Sequence, residues 1–146
     1  MKFKIIIDKT KEEEIIATVH APSALTEKIQ QLVQEFTGTD RVAAFLEEDI
    51  KMLPFAEIAC ITVQDGKTWA VDQTGKRYRL KQRLYELEEV LPASFIRINK
   101  SALANAQLIE RFAATFSGAV DAVFRGGYRE YVSRRCLAQI KRRYRL

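Results

Sequence analysis

The feature that most constrains the fold of this 146-residue chain is a series of short apolar segments separated by tight turns. Asp65-Gly66, Thr74-Gly75 and Arg125-Gly126-Gly127 each lie between two segments rich in β-branched or aromatic residues. Short segments of this composition, joined by glycine-containing turns, are typical of antiparallel hairpins. The sequence therefore predicts an α+β fold that is mainly β.

Residues after Pro54 contain most of these segments. Two helices are predicted among them, one over residues 84–91 that Pro92 ends and one over residues 134–144 that Ser133 caps. The predicted strands cover residues 58–63, 68–71, 77–80, 95–98, 108–116, 120–124 and 128–132. Residues 54–146 are thus expected to form one domain.

Residues 1–53 differ from the rest in pattern and charge. Strands are predicted over residues 2–8 and 15–19, followed by a helix capped by Ser23 and ended by Gly38. The apolar residues of this helix recur at helical spacing: Leu25, Ile29, Leu32, Val33 and Phe36. Strands over residues 42–46 and 50–53 would complete a small acidic ββαββ segment, which we expect to serve dimerisation or regulation.

Charge is distributed unevenly along the chain. Residues 1–65 hold 7 Lys and Arg against 12 Asp and Glu, whereas residues 66–146 hold 17 against 7. A strongly basic second part favours a polyanionic partner, either nucleic acid or an acidic membrane surface. A solvated basic surface with no partner is the alternative that charge alone leaves open.

The residues that enzymes use for catalysis are scarce. His20 is the single histidine, and no nucleophile or P-loop spacing accompanies it. Cys60 and Cys136 are far apart and lack CxxC spacing, so we expect two buried thiols and neither a disulfide nor a metal site. We therefore expect a protein that is not an enzyme and has no cofactor or small-molecule substrate. No apolar run is long enough to span a membrane, which favours a cytoplasmic location.

Basic residues of the second part gather at turns and on the last helix. Lys67 follows a hairpin turn, Lys100 follows the strand over residues 95–98, and Arg134-Arg135 open the helix. On that helix, Cys136, Leu137, Ile140 and Tyr144 form an apolar arc beside a basic one. One arc can pack while the other meets phosphates, although a basic helix with an apolar arc is also found on membrane surfaces.

Three parts of the sequence resemble the LytTR family of DNA-binding domains. The stretch Phe95-Ile96-Arg97-Ile98-Asn99-Lys100-Ser101-Ala102-Leu103-Ala104-Asn105 resembles its central strand and polar turn. Residues 83–88 resemble the short helix before it, and residues 124–135 resemble the closing hairpin and the start of the last helix. The resemblance covers about residues 54–146 in the family's order.

The resemblance implies an elongated fold of antiparallel sheets with short helices, whose loops and last helix enter successive major grooves of double-stranded DNA. Lys67, Lys100 and Arg135 are the implied base contacts, and Asn99, Ser101 and Arg134 are implied phosphate or supporting contacts. Weaker candidates for the DNA backbone are Arg97, Arg125, Arg129, Arg142 and Arg145. Ser101 and Asn105 have an alternative role, which is to close the turn through hydrogen bonds to the backbone.

The implied protein is a bacterial-type transcriptional regulator that binds a specific DNA sequence. Residues 1–53 are too short for the receiver domain that usually precedes this family's DNA-binding domain, so the chain resembles the short LytTR proteins. We expect a homodimer, and a membrane-embedded regulatory protein is a further partner that the resemblance implies. The alternative is a non-enzymatic interaction module whose basic face binds an acidic partner.

Overall fold

A computed structural model describes residues 1–145 and has three helices, ten strands and two single-turn 3-10 helices within that range. The helices are α1 (Ala24–Thr37), α2 (Leu84–Val90) and α3 (Arg134–Tyr144), and the 3-10 turns are Phe55–Glu57 and Ala106–Leu108. The strands are β1 (Arg41–Leu46), β2 (Asp49–Pro54), β3 (Ile58–Gln64), β4 (Lys67–Asp72), β5 (Arg77–Leu80), β6 (Phe95–Asn99), β7 (Ala102–Asn105), β8 (Ile109–Ala114), β9 (Val120–Phe124) and β10 (Arg129–Val132). The predicted mainly β fold is confirmed.

The structure of the first 23 residues contradicts one prediction. Residues 2–8 and 15–19 were expected to be strands, but neither segment joins a sheet. Their apolar side chains, including Ile7 and Ile16, are exposed. High β-propensity is not sufficient for a strand, because β-branched side chains favour this conformation only when neighbouring strands and a core receive them. The N-terminal unit is therefore αββ in the structure rather than ββαββ.

Helix α1 agrees with the sequence prediction at both ends. The backbone N–H of Ser23 donates to Thr26 Oγ1 at 2.9 Å, and Gly38 adopts a left-handed conformation with φ 73°. Only glycine takes up this conformation without strain, so it ends the helix at the predicted residue. No residue of α1 is buried.

A seven-stranded antiparallel sheet has the order β2-β1-β5-β4-β3-β7-β6. Strand β1 pairs with β5 at Phe45 and Arg79, so β1 and β2 belong to the same sheet as the strands that follow Pro54. The sheet is therefore continuous across residue 53, where the sequence predicted a boundary between segments. One face of this sheet packs on α2 through Leu84 and Leu87.

Strand β7 was missed by the sequence prediction, which treated residues 99–105 as a polar turn. Alanine has low β-propensity, so the segment Ala102-Leu103-Ala104 gives a weak strand signal. All four residues of β7 are buried, between β3 and β6. Small side chains suit β7, because the sheet face that carries Ala102 and Ala104 is covered by a second layer of the fold.

That second layer is a three-stranded sheet of order β10-β9-β8 together with α3. Its buried side chains include Phe124, Val132, Cys136 and Ile140, which pack in one cluster with residues of β3, β6 and β7. The predicted apolar arc of α3 is confirmed for Cys136, Leu137 and Ile140, whereas Tyr144 is 45% exposed. Because α3 packs on β6 through Cys136 and Ile140, the start of α3 is held in place relative to the turn that follows β6.

Candidate nucleic-acid interface

Lys67 lies at the tip of the β3–β4 hairpin. Asp65 and Gly66 form the turn with φ angles of 53° and 72°, which is the left-handed backbone of a two-residue hairpin loop. Lys67 is the first residue of β4 and is exposed. The hairpin thus carries one exposed lysine at its tip.

Lys100 occupies the turn between β6 and β7, and its neighbours hold the turn from both sides. Asn99 Oδ1 accepts a hydrogen bond from the backbone N–H of Ser101 at 2.7 Å. Arg97 Nη1 donates to the carbonyl of Lys100 at 2.7 Å, and Glu88 fixes the same guanidinium at 2.8 Å. The backbone of Lys100 is therefore anchored while its side chain is exposed.

The two turns are neighbours at one end of the seven-stranded sheet. Strand β3 pairs antiparallel with β7, with Thr62 opposite Ala102. Beyond that pair, the backbone N–H of Val63 donates to the carbonyl of Ser101 at 2.9 Å. The C-terminal end of β3 and the N-terminal end of β7 therefore lie side by side, which brings the Lys67 hairpin next to the Lys100 turn.

The start of α3 is bonded to the same end of the sheet. Asn99 Nδ2 donates to the carbonyl of Tyr131 at 2.7 Å, and the backbone N–H of Ser133 donates to the carbonyl of Ile98 at 2.8 Å. Ser133 Oγ accepts from the N–H of Cys136 at 3.2 Å, which confirms its predicted role as N-cap. Arg134 and Arg135 follow directly and are exposed.

We call Lys67, Lys100, Arg134 and Arg135 together the basic edge. Three separate parts of the chain contribute to it, and they are held together by the two hydrogen bonds of the Asn99 side chain and by backbone hydrogen bonds. None of the three ion pairs found in residues 1–145 includes any of these four side chains. Four cations on one edge, unneutralised by ion pairs, form a surface that attracts phosphate.

Electrostatics at the α3 N-terminus also favour an anion. Helix N-termini carry a partial positive charge, so acidic residues usually occupy the first turn. Here the first turn has no acidic residue and begins with Arg134 and Arg135. Two cations at the positive end of a helix repel its dipole, and a bound phosphate would relieve that repulsion.

Other predicted site residues have supporting positions. Asn99 is buried and both ends of its amide are hydrogen-bonded within the protein, so it holds the turn. Arg97 holds the carbonyl of Lys100, as described above. Ser101 is half-buried and forms hydrogen bonds through its backbone.

Asn105 is buried, accepts from the N–H of Gln107 and donates to the carbonyl of Ile58. For Asn105, the role of binding the backbone is confirmed.

Four weaker candidates lie away from the basic edge. Arg125 and Arg129 belong to the β9–β10 hairpin tip, where Gly126 lies against the Gln73 carbonyl in the turn after β4. That turn is at the opposite end of β4 from Lys67, about 17 Å away at 3.3 Å per residue. Arg142 and Arg145 follow Arg135 by seven and ten positions, which places them about 10 and 15 Å from it along the axis of α3. The structure does not bring these residues together with the basic edge.

A row of cations on β5 was missed by the sequence analysis. Arg77 and Arg79 lie over the ring of Trp69 at 4.8 and 5.9 Å from its centroid, and Lys81 lies over Phe45 at 4.7 Å. Alternating basic residues at 77, 79 and 81 were the available signal, since alternate residues share one face of a strand. Thr68 pairs with Leu80, so Lys81 lies near Lys67 and the row leads to the basic edge.

The histidine, cysteine and acidic side chains of residues 1–145 do not gather into a metal-binding group. No group of three or more His, Cys, Asp or Glu side chains in this range could hold a metal ion. Cys60 and Cys136 are both buried, as predicted, and burial raises the pKa of the Cys60 thiol well above its usual value. None of the helices in the described range has the length and apolar character needed to cross a bilayer.

Comparison with known proteins gives consistent similarities. The family description LytTr DNA-binding domain matches residues 48–145. An uncharacterized HTH-type transcriptional regulator of Staphylococcus aureus strain MSSA476 is 29% identical over 146 residues, covering 98% of this chain and 97% of the relative. A protein of the same description from strain NCTC 8325 is 28% identical with the same coverage.

Among solved structures, the LytTr DNA-binding domain of a Bacillus cereus protein described as a methyl-accepting/DNA response regulator has the same fold. Its TM-score is 0.64 at 22% identity, and the match covers 70% of this chain and 94% of that one. The relatives are described as HTH-type, a name that refers to two helices joined by a turn. In residues 1–145 of this chain, strands separate each of the three helices from the next.

Proposed function

Because the chain belongs to the LytTR family of DNA-binding domains, we propose that it is a transcriptional regulator that recognises a specific DNA sequence through the basic edge. Lys67, Lys100 and Arg135 contact base edges in the major groove, and Arg134 binds phosphate. Lysine and arginine commonly recognise guanine O6 and N7 in this groove. The protein acts in the cytoplasm as a homodimer, without enzymatic activity.

The observation that carries this proposal is the arrangement of hydrogen bonds around Asn99. This one side chain joins the Lys100 turn to the strand that precedes α3, while the Val63–Ser101 bond joins the same turn to the Lys67 hairpin. A protein that reads DNA through turns needs those turns held rigidly, because base recognition depends on precise positions of donors and acceptors. A basic surface that only aids solubility has no such requirement.

The decisive experiment is a selection of bound sites from random duplex DNA with the full chain. A sequence-specific regulator enriches one half-site, and its affinity exceeds that for random duplex by at least about a thousandfold. Affinity for both should fall steeply as salt rises, because bound cations release counterions from the phosphates. Enrichment of no sequence, with salt-dependent binding alone, would contradict the proposal.

The same selection separates the regulator from an interaction module that binds an acidic protein. Such a module would bind duplex DNA only through charge, and an acidic polymer such as heparin would compete equally well with every duplex. A specific regulator should keep its preferred site in heparin concentrations that remove random duplex. Loss of both at the same concentration would favour the interaction module.

A further inference from the structure

Helix α1 turns its polar face toward the rest of the protein. Glu27, Gln30, Gln31 and Gln34 line a cleft whose other wall is formed by residues near Phe55 and by the loop between α2 and β6. Gln34 Nε2 donates to the carbonyl of Val90 at 3.2 Å. The helix thus lines this cleft with polar side chains, whereas an amphipathic helix usually packs its apolar face on its own domain.

The opposite face of α1 is apolar and points away from the domain. At about 100° per residue, Leu25, Ile29, Leu32 and Phe36 fall within an arc of about 60°. We call these four residues the α1 stripe. Leu25 is 41%, Leu32 63% and Phe36 85% exposed, and Ile29 is half-buried. An apolar stripe on this face of a helix that has no buried residue marks a surface for association.

Spacing within the α1 stripe matches a helix partner. Its residues are separated by four, three and four positions, which is the spacing of the a and d residues in a coiled coil. A helix of the same sequence running antiparallel would place Leu25 against Phe36 of the second copy, and Ile29 against Leu32. The two-fold axis of such a dimer repeats both contacts, so that all four residues of each α1 stripe have a partner.

Charge complementarity selects the antiparallel direction. Lys28 and Glu35 lie on one flank of the α1 stripe, seven positions apart, and neither forms an ion pair within residues 1–145. An antiparallel second copy brings Lys28 near Glu35 of that copy, and the symmetry axis repeats the pair. A parallel copy would place the Lys28 and Glu35 flanks of the two helices on opposite sides of the pair, so neither residue would face an opposite charge.

We propose that the α1 stripe is the dimer interface of this protein and that the α1 helix of a second copy covers it in antiparallel orientation. A single pair of 14-residue helices buries less than the roughly 800 Å² per partner of a stable interface. The exposed apolar side chains among residues 3–7 and 15–16 precede α1 in the chain and would supply the remaining area. This interface deepens the proposed homodimer and rests on that part of the proposed function.

Sedimentation of the full chain without DNA tests the interface directly. The wild-type protein should sediment as a dimer, and Leu32→Glu should raise its dissociation constant by more than about tenfold, because the dimer would bury an unpaired charge. Tyr85→Glu is the matched control, since Tyr85 is also an exposed apolar residue but lies on α2. A monomeric wild-type protein, or a dimer that Leu32→Glu leaves intact, would overturn the proposal.

Charge exchange tests the direction of the helices. Lys28→Glu and Glu35→Lys should each weaken the dimer, and the double variant should restore it, because each new glutamate again faces a new lysine. Restoration by the double variant does not occur in a parallel pair, so its absence would overturn the antiparallel arrangement. Circular dichroism of each variant verifies that α1 and the sheet remain folded.

Binding to the selected half-site separates this inference from the proposed DNA recognition. A monomeric Leu32→Glu protein should still prefer the same half-site, because the basic edge lies within one copy. It should lose the preference for two half-sites at a fixed spacing. A wild-type dimer that selects no sequence would refute DNA recognition and leave the α1 interface standing.

Discussion

The two ends of the seven-stranded sheet both carry exposed arginines and lysines, but their surroundings differ. At the far end, where the tip of the β9–β10 hairpin of the three-stranded sheet lies against Gln73, Arg129 is paired with Asp121 at 3.2 Å, and the carboxylate of Asp72 closes the turn before Lys76. At the basic edge, the four cations have no ion pair within the described residues and three chain segments hold them together. A net charge of +5 does not distinguish these two ends, whereas the hydrogen bonds and acidic neighbours of each cation do.

The largest effects should come from the two buried asparagines, one at each end. Asn99→Ala and Asn105→Ala each remove two side-chain hydrogen bonds and leave buried or partly buried backbone groups without partners. At about 1–3 kcal/mol for each such group, both should lower the free energy of unfolding by about 2 kcal/mol or more. Urea unfolding measures this loss.

The two asparagines should nevertheless differ in DNA affinity. At a temperature where both variants are folded, Asn99→Ala should weaken binding to the selected site, because the Lys100 turn and α3 lose their link. Asn105→Ala should bind like the wild type. Equal affinity losses for the two would show that the ends of the sheet do not differ in function.

Two turn glycines should show that the substitution with the larger loss of stability is not the one that weakens DNA binding. A Cβ at Gly126 would lie 2.5 Å from the Gln73 carbonyl oxygen, whereas a Cβ at Gly66 meets nothing within 4 Å. Gly66→Ala should cost about 1 kcal/mol from its positive φ alone, and Gly126→Ala should cost more. Thermal unfolding should rank them in that order, while Gly66→Ala alone should weaken DNA binding, because it alters the turn before Lys67.

A matched pair of arginines sharpens the distinction between the ends. Arg135→Ala should reduce affinity for the selected site by about 1–3 kcal/mol and broaden the bases accepted there. Arg125→Ala, an exposed arginine at the far end, should leave both affinity and preference unchanged. Equilibrium binding with the selected duplex and with single-base variants measures both. An unchanged preference in Arg135→Ala would remove this residue from the reading surface.

The smallest effect is expected at the C-terminal end of α3. Arg142 lies about 10 Å from Arg135 along the helix axis, near the end of α3, and we expect it to contact phosphates rather than bases of a duplex bound at the basic edge. Arg142→Ala should therefore weaken all duplexes about equally, by less than about tenfold, and reduce the salt slope by about one. A change confined to the selected site would mean that α3 reads bases along its length.

Most strands and all three helices could be predicted from the sequence, because their signals are local. Turn glycines, alternation and the Ser133 cap each act within a few residues. The N-terminal strands were wrong because β-branched composition was taken without a partner to pair with. Strand β7 was missed because its alanines are suited to close packing between strands, which is a property of the fold and not of the segment.

The basic edge was predictable only in part. The sequence indicates that Lys67, Lys100 and Arg135 occupy turns and a helix start. Their placement at one end depends on contacts between distant residues, such as the Asn99–Tyr131 hydrogen bond across 32 positions. The same dependence explains why Arg125 and Arg129, which also occupy a hairpin tip, could not be separated from the others by sequence pattern.

The most direct test of the central claim is a map of backbone amide chemical shifts by NMR, recorded with and without the selected duplex. Binding through the basic edge predicts the largest changes at Gly66, Lys67, Ser101 and Arg135. Gln73, Gly75 and Gly127 at the far end should change little. Large shifts at the far end, with the basic edge unaffected, would contradict the account.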